Sequence, residues 1–124
     1  MLITINEHPY ASRVFEVARL ACSILKLDNI VVDIYLTSDN DGASGWAMCL
    51  DDDEYEISID DTQNLSEIER ATIHELVHVW QYFTNQLVFD GSRTWWDGVV
   101  WTERGQPWER QAEVLEDFIY ERYV

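Results

Sequence analysis

The stretch Ser66-Glu-Ile-Glu-Arg-Ala-Thr-Ile-His-Glu-Leu-Val-His-Val-Trp-Gln-Tyr-Phe-Thr84 decides the reading of the chain. Ile68, Ala71, Ile73, Leu76, Val77, Val79, Trp80 and Phe83 form an apolar stripe, which predicts an amphipathic helix running to about Thr84. Ser66 followed by Glu69 fits a capping box at its start. Within this helix lies His74-Glu75-Leu76-Val77-His78, an HExxH motif. Residues four apart share a helix face, so both imidazoles can reach one ion. Glu75 lies off that axis but within reach of a water beside the metal, where it would act as general base. Zinc would lower the pKa of that water and polarise the carbonyl under attack. A chance match in a chain this long is on the order of one in a few hundred. The sequence contains only three histidines, and two of them fall in the motif.

Zinc needs a third protein ligand and an open fourth position for catalysis. A metzincin extension would place Gly at 81 and His at 84. Gln81 and Thr84 stand there, which excludes that class. His8 lies far upstream and reads as a surface or turn residue. The ligand should therefore be a downstream carboxylate: Asp90, Asp97, Glu103, Glu109 or Glu113. Asp90 and Asp97 each precede glycine and read as turn residues. Glu103 falls in a loop. Glu109 and Glu113 sit four apart on a final helix, so one can bind zinc while the other braces a ligating histidine.

Outward from the motif, the elements alternate in type. Leu2 to Ile5 reads as a short strand. Val14, Val17, Ala18, Ala21, Ile24 and Leu25 mark a helix from about Tyr10 to Leu27. Asn29 to Leu36 is rich in β-branched residues and reads as a strand. Trp46–Leu50 and Tyr55–Ile59 read as strands flanking the acidic turn Asp51-Asp-Asp-Glu54. Downstream, Asp97-Gly98 signals a hairpin within Trp95-Trp-Asp-Gly-Val-Val-Trp101. Pro107 suits the first turn of a last helix with Ala112, Leu115 and Ile119 on one face. These elements predict an α+β fold in a single domain over residues 1–124: an N-terminal helix, a small antiparallel or mixed sheet, the HExxH helix, an aromatic hairpin and a C-terminal helix.

The chain of 124 residues is 47% hydrophobic, within the globular range. Eight basic residues against 24 acidic ones give a net charge of −16, which disfavours nucleic acid and anionic lipid and favours basic or neutral partners. Neither a signal peptide nor a membrane-length apolar run is present, so a cytoplasmic setting is the expectation. Cys22 and Cys49 have apolar neighbours and are expected to be buried free thiols. Asp39-Asn-Asp41-Gly42 fails as a calcium loop, because its glycine comes early and Leu50 stands where the bidentate acid should be. Phosphate-binding glycine loops and GxSxG are absent.

His74-Glu-Leu-Val-His-Val-Trp-Gln81, Trp95-Trp-Asp-Gly98 and Pro107-Trp-Glu-Arg-Gln-Ala112 together resemble the minimal gluzincin-like zinc metallopeptidases, many of them from phages or bacterial genomes. The ExxA pattern is also similar to that of zinc peptidases that cleave repressors in bacterial stress and mobile-element regulation. The resemblance covers about Ser66 to Phe118. It implies a zincin-like domain holding one Zn2+ per chain through His74, His78 and Glu109, and a phage-like source. It puts Glu113 at the position where thermolysin-type gluzincins brace a histidine, although an Asp is usual there. It implies that the strand around Tyr55, Ile57 and Ile59 borders the cleft, and that Trp95, Trp96 and Trp101 roof it. Such enzymes also use a Tyr and a His on the oxyanion. No further histidine follows the motif here, and Tyr82, Tyr120 and Tyr123 are the available donors.

The expected function is hydrolysis of a peptide bond in a protein or peptide, plausibly a basic one. Two alternatives stand beside it: a zinc-binding but inactive interaction or virion component, and an acidic inhibitor that mimics nucleic acid.

Overall fold

A parallel pair opens the chain: β1 (Leu2–Ile5) lies beside β2 (Val31–Thr37), with Leu2 opposite Val31 and Ile5 opposite Ile34. Parallel neighbours need a long crossover, and α1 (Ala11–Ile24) supplies it. Its buried stripe of Val14, Val17, Ala18, Ala21 and Cys22 follows the helical period and packs into the core. The computed structural model describes residues 1–124.

β3 (Gly45–Asp51) and β4 (Glu54–Asp60) form an antiparallel hairpin. β4 inserts beside β2 and runs parallel to it, giving the strand order β1-β2-β4-β3 in a mixed sheet. The position of β4 corrects one expectation. Tyr55, Ile57 and Ile59 pair with Val32, Ile34 and Leu36 and are buried in the core. A strand paired on both sides offers no free edge. The edges of this sheet are β1 and β3, and β3 is the one beside α2.

α2 (Leu65–Phe83) carries the motif. Its cap lies two residues earlier than Ser66-Glu69 suggests. The Asn64 side chain accepts from the Glu67 amide at 2.9 Å, and the Glu67 carboxylate accepts from the Asn64 amide at 3.1 Å. Glu69 is not free to cap. It is buried and accepts from Arg13 Nε on α1 at 2.6 Å.

A second sheet follows: β5 (Leu87–Phe89), β6 (Thr94–Trp96) and β7 (Val99–Val100), in that order. β5 was not expected from the sequence. Asp97 and Gly98 form the two-residue β6–β7 turn with φ of 51° and 81°, the left-handed pair such a hairpin needs. α3 (Pro107–Tyr123) begins at its proline and lies against α2. Its apolar contribution is thin, since only Ala112 and Ile119 are buried.

The architecture is α+β, with one apolar core between the sheet, α1 and α2. No helix is long and apolar enough to cross a membrane. Cys22 is buried as expected, but Cys49 is exposed on β3, because an edge strand has no neighbour to cover it.

Candidate metal centre

His74 and His78 project from successive turns of α2 and meet Glu109 from the first turn of α3. His74 Nε2 lies 3.3 Å from Glu109 Oε2, and His78 Nε2 contacts Glu109 Oε1. One ligand atom from each of the three residues falls within 4.8 Å of the others. Tetrahedral bonds of about 2.0–2.1 Å place neighbouring ligand atoms about 3.3 Å apart, so the three donors can converge on one ion with little movement.

The far sides of both rings are fixed. His74 Nδ1 is 3.0 Å from Glu116 Oε1. A carboxylate there accepts a proton, so the ring keeps Nδ1–H, and once its other proton is lost it presents Nε2 as the lone pair. Arg70 donates to the other oxygen of Glu116 at 3.2 Å and to Asp117 at 2.7 Å. For His78 the partner is Gln81, whose Oε1 lies 2.8 Å from Nδ1. The amide cannot be turned the other way, because its nitrogen donates to the Trp108 carbonyl at 2.9 Å and to Gln111 Oε1 at 2.8 Å. His78 therefore donates through Nδ1, which leaves Nε2, the atom against Glu109, as its ligand atom once deprotonated. Two different devices select the same tautomer at both histidines. The group fits a borderline-soft divalent ion with nitrogen and oxygen ligands.

Electrostatics around the triad follow from its crowding. Burial pulls the His74 imidazolium down, but hydrogen bonds to Glu109 and Glu116 outweigh it and hold the ring up to about 10. His78 follows the same pattern: burial lowers it, and Glu109 and Gln81 raise it above its usual value. Hydrogen bonds from the two rings hold Glu109 well below the ordinary carboxylate range. Glu75, one residue from His74, makes no hydrogen bond to the triad. Burial pushes its carboxyl up to about 7, against the pull of both histidines.

These groups face a cavity of about 730 Å³ walled by β3, α2 and α3. β3 approaches α2 closely at Gly45. A Cβ there would stand 3.1 Å from Glu75 Cγ and 3.2 Å from Glu75 Oε2. Glu113 lines the cavity, but Glu116 takes the bracing position assigned to Glu113 by the resemblance. The separation explains the difference. Both share the face of Glu109, but Glu116, two helical turns on, lies between His74 and Arg70, whereas Glu113 makes no hydrogen bond to either histidine.

The tryptophans also sit differently from expectation. Trp95 turns away, donating to Asp90 at 2.9 Å with Arg93 over its ring. Trp96 and Trp101 pack around Trp108 at ring separations of 6.1 and 6.3 Å, and it is Trp108, with Trp46 of β3, that lines the cavity. The hairpin thus buttresses the wall and does not roof it. Of the three tyrosines, only Tyr82 lines the cavity. Tyr120 lies under Arg70 and Tyr123 packs on Phe118. His8 is remote, paired with Asp61 at 3.0 Å.

Glu116, Gln81 and Gly45 had no assigned role in the sequence. Gln81 carried a faint signal, as a polar residue three positions after His78 on an apolar helix face. Comparisons with protein-family profiles, curated proteins and solved structures return no match for the chain.

Proposed function

We propose that the chain is a zinc-dependent peptidase in which His74, His78 and Glu109 hold the ion and Glu75 is the general base. The observation that carries this reading is the pre-set tautomer of both histidines beside a buried, unpaired Glu75. A purely structural site has no use for a base near neutrality, and a chance histidine pair has no use for two bracing partners. Zinc, when bound, would supply Lewis acidity, polarising a carbonyl and acidifying water. Glu75 takes a proton from the attacking water and returns it to the departing amine. Burial, which raises its carboxyl, favours its holding the proton between the two transfers. Tyr82, the one of the three tyrosines that lines the cavity, would be the donor to the developing oxyanion. The free edge of β3 offers unpaired backbone groups to an extended peptide, and the charge of −16 favours a basic one.

Elemental analysis of untagged protein tests the reading. Wild type and Glu75→Gln should carry about one zinc per chain, as a single closed donor set implies. His78→Ala and Glu109→Ala should lose it. Wild type alone should hydrolyse a mixed peptide pool. Zinc without hydrolysis under any condition would favour an inactive zinc-binding module. No zinc after reconstitution would remove the peptidase reading altogether.

A further inference from the structure

A second cavity of about 600 Å³ adjoins the metal cleft. The two share Ala47, Tyr82 and Leu87 in their walls. The second is mainly apolar, lined by Met48, Cys49, Tyr55, Phe83, Val88 and Phe89 among others. Met48, Val88 and Phe89 are exposed there, with Phe89 at 62%. The mechanism above uses none of these residues.

β3 runs past both cavities as an unpaired edge. Gly45 abuts Glu75, Ala47 faces both spaces, and Met48 and Cys49 line only the second. Strands rise about 3.3 Å per residue, so Cys49 lies about 13 Å from Gly45 and about 7 Å from Ala47. An extended peptide on this edge has the same rise. With a carbonyl at the metal centre, a side chain about two residues away reaches the apolar cavity. Antiparallel pairing, the slightly more stable arrangement, makes that residue N-terminal to the scissile bond. Beyond Cys49 the strand ends in Asp51-Asp-Asp-Glu54, four exposed acids with no ion-pair partner.

We propose that the edge of β3 selects extended peptides with an aromatic or large aliphatic side chain about two residues N-terminal to the scissile bond and a basic residue beyond it. This rests on the peptidase reading. The apolar cavity takes the large side chain, and the acidic turn takes the lysine or arginine. Burial of one large apolar side chain is expected to raise kcat/KM by about tenfold or more over alanine.

The test walks a phenylalanine through an alanine-rich fluorogenic peptide with one lysine upstream, using zinc-loaded protein. Phenylalanine should favour cleavage about two residues to its C-terminal side. Cys49→Trp, which fills the cavity at an exposed position, should bring the phenylalanine-to-alanine ratio towards one. Asp52→Asn with Asp53→Asn should weaken the lysine preference and its salt sensitivity. A second arm needs no turnover. In zinc-loaded Glu75→Gln protein, the phenylalanine peptide should slow maleimide labelling of Cys49, while the alanine peptide should not. Buried Cys22, its thiol pushed up to about 12 by burial, stays silent. Hydrolysis without side-chain preference would overturn the cavity assignment and leave the peptidase reading. Protection of Cys49 without hydrolysis would support the assignment and overturn the peptidase reading. Neither cleavage nor protection would overturn both.

Discussion

Gly45 is glycine for lack of space, since a Cβ at this position would lie 3.1 Å from both Glu75 and Ile59. Gly45→Ala should push the Glu75 carboxylate by a few tenths of an ångström. A kcat about tenfold lower, with zinc content unchanged, is the expected result, since misplacement by about 1 Å can cost a hundredfold. Gly45→Val should cost more. Glu116→Gln removes the carboxylate behind His74 and should weaken zinc affinity about 10- to 100-fold. Glu113→Gln should leave it nearly unchanged, as competition with a chromogenic chelator would show. An ion held by the triad would also have to displace the proton that His74 holds up to about 10. Binding should therefore release protons at neutral pH and tighten as pH rises, which calorimetry in buffers of different ionisation enthalpy reads directly. At this scale the sequence was legible where the candidate ligands follow a fixed local spacing. His74, Glu75 and His78 declare themselves through the helical repeat. Glu109 needed the resemblance, and Glu116 was hidden because a seven-residue interval is equally ordinary for a solvated helix face.

The start of α2 shows how two plausible caps compete. Both Asn64-Glu67 and Ser66-Glu69 fit the pattern, and tertiary contact decides between them, because Glu69 is already bound to Arg13. Asn64→Ala should destabilise the protein by about 1 kcal/mol, and Ser66→Ala by clearly less, as denaturant midpoints would report. Strand order was not legible for a similar reason. Alternation in Tyr55–Ile59 marks a strand with a buried face, but not which neighbour lies at its edges. The hairpin of β3 and β4 could attach to β2 through either strand. It attaches through β4, whose isoleucines extend the buried face of β2, while β3 carries the less buried side chains to the rim. The aromatic hairpin was readable from Asp97-Gly98, yet its packing on Trp108 depends on an element that begins after the next loop.

Across the whole molecule, charge and site act in the same direction on stability. In metal-free protein His74 is raised to about 10, so its contribution is full below its unfolded value near 6.5 and is lost as pH rises towards 10. Glu75, raised to about 7, adds a penalty that grows as pH passes from its unfolded value near 4.5 to its folded one. Glu109 is depressed, so its contribution is present above about 4.5 and is lost only in stronger acid. Self-repulsion of a chain with net charge −16 also eases as acids protonate. The melting temperature of metal-free protein should therefore peak at about pH 5–6 and fall towards pH 9. Added salt should raise it at neutral pH by screening the repulsion. Zinc-loaded protein should lose most of the alkaline fall, because the ion occupies the place of the protons. A flat profile without metal would contradict the ion-pair geometry of the triad.

The slender apolar seam of α3 has a consequence for how long the protein survives. With only Ala112 and Ile119 buried, the helix is held largely by the polar web around Glu109, Glu116 and Gln81. An ion there would act as a clasp between the last helix and the rest of the chain. When metal is scarce, the connection before Pro107 should open first to proteolysis, so that supply of the ion would set the lifetime of the molecule.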